Sequence, residues 1–172
     1  MHRSNRRLVR GITPSLPLMA LLVALATPAA AGEYDSALAG VQGIDVVFEV
    51  SQGSPAVSNI VFWAIRDVYR NPGVKALAKP PRVAIVFHGP AVKLLSSDRT
   101  GFAEADGAEL DKFAETIRQL KKDGVKLEVC RYALEVMKVD PATVMPEVDQ
   151  VGNGFISVAG YQAQGYGVIR VP

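Results

Sequence analysis

The run Arg82-Val83-Ala84-Ile85-Val86-Phe87-His88 constrains the fold more than any other segment. A strand wet on one face alternates apolar and polar residues, whereas this one is apolar at five successive positions. Such a run fits a strand covered on both faces, the arrangement of a parallel sheet between helical layers. Gly89-Pro90 ends the run.

The flanking segments supply the other layers. Asp45 to Val50 reads as a first strand, followed by the turn Ser51-Gln52-Gly53. Ser54 caps a helix that begins at Pro55 and stops at Asn71-Pro72-Gly73. Val57, Ile60, Val61, Ala64 and Val68 form the expected core face of that helix. Phe62, Trp63 and Ile65 then carry surplus apolar surface to the rest of its circumference, which predicts a subunit contact. A short helix is expected over Ala91 to Leu95. Asp106 to Lys122 is the clearest helix, with capping-box spacing at Asp106 and Glu109. It carries an apolar face of Leu110, Phe113, Ala114, Ile117 and Leu120, and a stop at Gly124. Val125 to Cys130 reads as a third strand and Tyr132 to Lys138 as a short helix. Phe155 to Val158 reads as a fourth strand, Tyr161 to Gln164 as a turn or short helix, and Tyr166 to Val171 as a fifth strand. Strands alternating with helices predict an α/β fold with a mostly parallel sheet and right-handed crossovers.

Residues 1–31 read as a targeting segment. Arg3, Arg6, Arg7 and Arg10 make a basic start without acids, Leu16 to Ala26 an apolar core, and Ala29-Ala30-Ala31 a cleavage site before Gly32. Arg6-Arg7 matches a twin-arginine pattern only loosely, so ordinary secretion to the periplasm or beyond is expected. Residues 32–43 read as a flexible lead-in and 44–172 as a single domain. Cleavage lowers 19 basic residues to 15 against an unchanged 17 acids, so the net charge passes from +2 to −2. The basic character therefore belongs to the targeting segment and predicts neither nucleic-acid binding nor, once that segment is cut, stable membrane insertion.

In an open parallel sheet, ligands bind beyond the carboxyl ends of the strands. Ser51-Gln52-Gly53, His88-Gly89-Pro90 and Cys130-Arg131 all fall there. Cys130 is the only cysteine, so it cannot close an intramolecular disulfide in an oxidising compartment. It is buried and inert, paired with another chain, or kept for its sulfur. Alternation along its strand sets it on the face of Lys126 and Glu128, which favours an accessible sulfur. Arg131 and the start of the following helix would both favour a thiolate. His88 could orient that thiolate or take its proton, or be structural. One cysteine and one histidine fall short of a metal site. No cofactor is implied: there is no phosphate-binding glycine loop, and Gly152-Asn153-Gly154 reads as a turn.

Four stretches resemble the DsrE/DsrF-like proteins, small sulfur-relay domains that include the Tus and YchN-like members. They are Val86 to Val92, the long helix running into Gly124 to Cys130, Val151 to Phe155, and Gln162 to Tyr166. The likeness covers residues 44–171. It implies a three-layer α/β/α sandwich with a five-stranded, mainly parallel sheet, assembled as a homotrimer or homohexamer. It also implies that a cysteine matching Cys130 carries a persulfide between protein partners. Arg131-Tyr132 stands where small residues are commoner in the family, so Cys130 alone is carried over.

The leading expectation is a periplasmic, sulfurtransferase-like sulfur carrier that holds a persulfide on Cys130, served by a sulfur-donor or acceptor protein. The alternative is a non-catalytic oligomeric binding or scaffold domain in which Cys130 is buried. A third reading is a redox sensor joined to a second copy through Cys130.

Overall fold

The computed structural model describes residues 32–172, so residues 1–31, read above as a targeting segment, lie outside the described residues. In chain order the elements are α1 (Asp35–Leu38), β1 (Asp45–Val50), α2 (Pro55–Arg70), α3 (Pro72–Lys75), β2 (Arg82–Phe87), α4 (Gly107–Lys122), β3 (Lys126–Cys130), α5 (Arg131–Val136), β4 (Asp149–Val151), α6 (Gly154–Ala163) and β5 (Gly167–Val171). A 3-10 segment, Gly89–Leu95, follows β2 where a short helix is expected.

The five strands form one sheet in the order β4-β3-β2-β1-β5, parallel at every pairing. The chain steps from β1 to β4 in one direction, then returns to place β5 beside β1. Right-handed crossovers put helices on one face during the outward steps and on the opposite face for the return. Hence α2, α4 and α5 pack on one side and α6 on the other, which makes the α/β/α sandwich.

β2 meets both layers, as its composition requires. Val83, Ile85 and Phe87 join Phe48, Phe62, Phe113, Ile117 and Leu127 in the larger core. Ala84 and Val86 join Val47, Val158, Tyr161 and Tyr166 in the smaller one beneath α6.

Three expectations are corrected. The core face of α2 is Ser58, Phe62 and Ile65, so Val57, Ile60 and Ala64 point to solvent with Trp63. Periodicity misplaced the phase because the helix is apolar on nearly every side, and the aromatic Phe62 claims the core position between Phe87 and Phe113. The capping box at α4 does not form. The Asp106 carboxylate accepts from the Ala103 amide at 3.2 Å, and the Glu109 carboxylate accepts from Asn59 Nδ2 at 2.7 Å. Phe155 to Val158 is the first part of α6 and not a strand; the fourth strand is the three-residue Asp149–Val151. Asn153 decides this, because its side-chain oxygen accepts from the Phe155 amide at 2.9 Å and caps a helix there.

Candidate functional site

The three loops that strand order brings to one end of the sheet do meet. A methyl on Gly53 would lie 2.6 Å from Pro90 Cβ, so only a glycine lets the β1 loop pass the β2 loop this closely. Gly89 adopts φ +44°, a backbone region that favours glycine, as the chain turns from β2 into the 3-10 segment. His88 is held by its own amide, which donates to the Val50 carbonyl at 2.8 Å.

Cys130 occupies a distinctive place in this topology. It ends β3 and is paired in register with Val151, the last residue of β4. The chain leaves Cys130 for α5 on one face and leaves Val151 for α6 on the other. Adjacent strands whose exits diverge in this way open a crevice, the usual ligand position in an open α/β sheet. The Tyr132 amide donates to the Gly152 carbonyl at 3.4 Å across that crevice.

The first residue of α6 closes the crevice from above. A Cβ built on Gly154 would lie 2.5 Å from His88 Cε1, 3.0 Å from its Nδ1 and 3.1 Å from Cys130 Cβ. His88 and Cys130 thus flank a single point, and Gly154 fills it with a bare backbone. Phe155 stacks on the imidazole, with ring centroids 4.9 Å apart and planes inclined by 24°.

This cover corrects one expectation. Cys130 is 3% exposed rather than open to solvent. Reading Phe155 to Val158 as a strand left this face of β3 bare, whereas α6 lies across it. Arg131 is exposed, with Nη2 3.7 Å from the Cβ position of Gly152, so it stands over the β4 exit.

His88 is also buried, and its Nε2 has no hydrogen-bond partner among the described residues. Burial penalises the imidazolium and lowers the pKa below the usual histidine value, an effect that Glu49 partly offsets. The ring is therefore neutral near pH 7.

One pairing was not legible in the sequence. Glu128, two residues before Cys130 on the same face of β3, accepts from the Tyr161 hydroxyl at 2.8 Å, while its other oxygen is buried without a partner. Burial first, and then this bond, raises the Tyr161 pKa. The roles of Gly154 and Phe155 also escaped notice, because they depend on α6 being a helix. No group of three or more metal-ligating side chains gathers among the described residues.

The sequence profile of the DsrE/DsrF-like family matches residues 64–171. The chain belongs to the DsrE/DsrF-like family. The match contains β2, β3, β4, α6 and β5, and so every residue that forms the crevice. Among solved structures, this DsrE-like chain is similar to MTH1491 of Methanobacterium thermoautotrophicum, a protein of unknown function, with a TM-score of 0.56 and 20% identity. That match covers 74% of this chain and 98% of the other, and shows a shared fold. The ychN protein of E. coli is also similar, at a TM-score of 0.44 and 15% identity over 75% of this chain and 98% of that one. A search of the curated proteins finds no match.

Proposed function

We propose that this DsrE-like protein is a periplasmic sulfur carrier that holds a persulfide on Cys130. The observation that carries the reading is the junction itself: the only cysteine lies at the diverging strand exits, beside a neutral buried histidine and under a residue without a side chain. Membership of a family whose fold serves sulfur relay supports it.

The chemistry balances without a cofactor. Once the site opens, the Cys130 thiol gives its proton to solvent, and the thiolate attacks the sulfane sulfur of a donor. One S–S bond forms at Sγ and the donor's S–S bond breaks, with its electron pair leaving on the donor; thiosulfate would leave as sulfite. An acceptor thiol later takes the sulfur by the same kind of exchange. Burial keeps the persulfide from stray thiols, and access requires the first turn of α6 to lift. Gly152 and Gly154, on either side of Asn153, give that turn its backbone freedom.

The second reading, an oligomeric scaffold of this fold, is favoured by the 3% exposure of Cys130 and by the uncovered apolar stripe on α2. Ile60 and Trp63 there are 72% and 73% exposed, a surface suited to contact with further copies in a trimer or hexamer.

Intact-mass measurement after thiosulfate or polysulfide treatment separates the two readings. The carrier gains sulfur in the wild type and not in Cys130→Ser. A wild type that gains none, or a serine variant that gains the same mass, leaves the scaffold.

A further inference from the structure

A cavity lies at the end of the strands opposite Cys130. It has a volume of about 440 Å³ and is bordered by Arg70, Lys75, Arg82 and Lys126. Arg82 opens β2 and Lys126 opens β3, so the cavity sits at the amino ends of strands whose carboxyl ends form the Cys130 crevice. Lys126 and Cys130 are the two ends of β3, roughly 13 Å apart at the usual strand rise.

The cations there divide into two kinds. Arg70 pairs with Asp123 at 2.6 Å, and Asp123 also accepts from the Tyr69 hydroxyl at 2.6 Å and from Gln119 at 2.8 Å. Arg82 grips Asp45 through two bonds, of 2.7 and 2.6 Å, and its guanidinium lies 4.9 Å from the centre of the Tyr166 ring. Both arginines are therefore held in place by partners. Lys75 and Lys126 are exposed and make no ion pair among the described residues.

Four cations against Asp45 and Asp123 leave two positive charges uncompensated. This gathering is not a by-product of composition, because residues 32–172 carry 15 basic and 17 acidic side chains. The lining also includes Tyr69 and Pro81, both half-buried, while Val83 and Val125 are nearly closed to solvent. Pockets of a few hundred Å³ with a few placed charges are the usual form of small-molecule sites.

We propose that this cleft binds a small organic dianion, its charges met by the unpaired Lys75 and Lys126 beside the two anchored arginines. Nothing in the proposal uses Cys130, so it stands or falls apart from the sulfur chemistry.

Phenyl phosphate is the probe, followed by amide NMR titration of the folded chain. Saturable shifts are expected at Lys75, Arg82 and Gly124 to Lys126, unchanged in Cys130→Ser. Reversing both exposed lysines, Lys75→Glu with Lys126→Glu, replaces two attractions by two repulsions and should weaken binding by at least about tenfold. The double variant should keep its melting temperature, since neither lysine has a partner to lose. Shifts that never saturate, or a double variant that binds as tightly as the wild type, would overturn the proposal.

Discussion

Gly154 and His88 are packed so closely that a methyl group on residue 154 would sit 2.5 Å from His88 Cε1 and 3.0 Å from Nδ1. Cys130 Cβ, 3.1 Å away, blocks the other side, and it belongs to a strand that cannot shift without disturbing the sheet. Gly154→Ala should therefore destabilise the protein by about 1–3 kcal/mol, the usual cost of overpacking. Urea unfolding measures this, and a variant as stable as the wild type would show the contact to be slack.

The buried imidazole makes stability depend on pH. Its folded pKa lies below the ordinary histidine value of 6.5, chiefly through burial. As pH falls, the unfolded chain takes the proton first, so the folded state loses stability from about pH 6.5 down to the lowered folded pKa, where the loss levels off. Above pH 6.5 both states are neutral and this contribution is constant. Asp45, whose pKa is lowered by its bond to Arg82, loses its contribution only at more acidic pH. Wild type should lose more stability than His88→Gln between about pH 7.5 and 5.5. Equal losses in the two proteins would mean that the histidine is not desolvated.

What could be read in the sequence followed from the strength of local signals. β2 announced itself by five apolar residues, and β1, β3 and β5 emerged within one residue of their expected bounds, because each is long enough to show its pattern. From strand order alone, His88 and Cys130 could be expected at one end of the sheet. β4 has three residues, too few to display any period. The segment Phe155 to Val158 is β-branched and aromatic, and local preference favours a strand there. The Asn153 cap overrides that preference, with Phe155 lying on His88 and Val158 packed in the smaller core. One misread element thus left the burial of Cys130 undecided and hid the roles of Gly154, Phe155 and Tyr161.

The cover over Cys130 should be visible in its reactivity. A thiol reagent such as a disulfide dye is expected to modify the folded protein slowly and the urea-unfolded protein at once. Phe155→Ala removes the ring that stacks on His88, yet Phe155 is itself 65% exposed, so the fold should survive. Labelling of the native state should accelerate in that variant by roughly tenfold, as expected where modification proceeds through local opening. Rapid labelling of the native wild type would contradict the burial of the sulfur.

Phe62 holds the larger core together. It is fully buried, edge-on to Phe113 at 4.9 Å and stacked on Phe87 at 5.9 Å, so it joins α2 to both α4 and β2. Phe62→Ala should cost about 3–5 kcal/mol through lost transfer energy and the cavity left behind. Trp63, the next residue and 73% exposed, should tolerate alanine with little change in monomer stability. If the two substitutions cost the same in thermal unfolding, the phase assigned to α2 would be wrong.

Tyr161 and Glu128 fasten α6 to the strand that ends in Cys130. The phenol donates to Oε1 at 2.8 Å, and Oε2 is already buried without a partner, so this hydroxyl is the carboxylate's one side-chain donor among the described residues. Removing it in Tyr161→Phe leaves a partly buried carboxylate unmatched, at a cost of about 1–3 kcal/mol. The same substitution in a Glu128→Leu background takes away a hydroxyl that no longer has an acceptor, and should cost much less. The difference between the two is the coupling of the pair, which a double-mutant cycle isolates provided neither single change rearranges its surroundings. A coupling near zero would mean that water serves the carboxylate equally well, and that α6 is held over Cys130 by its apolar contacts alone.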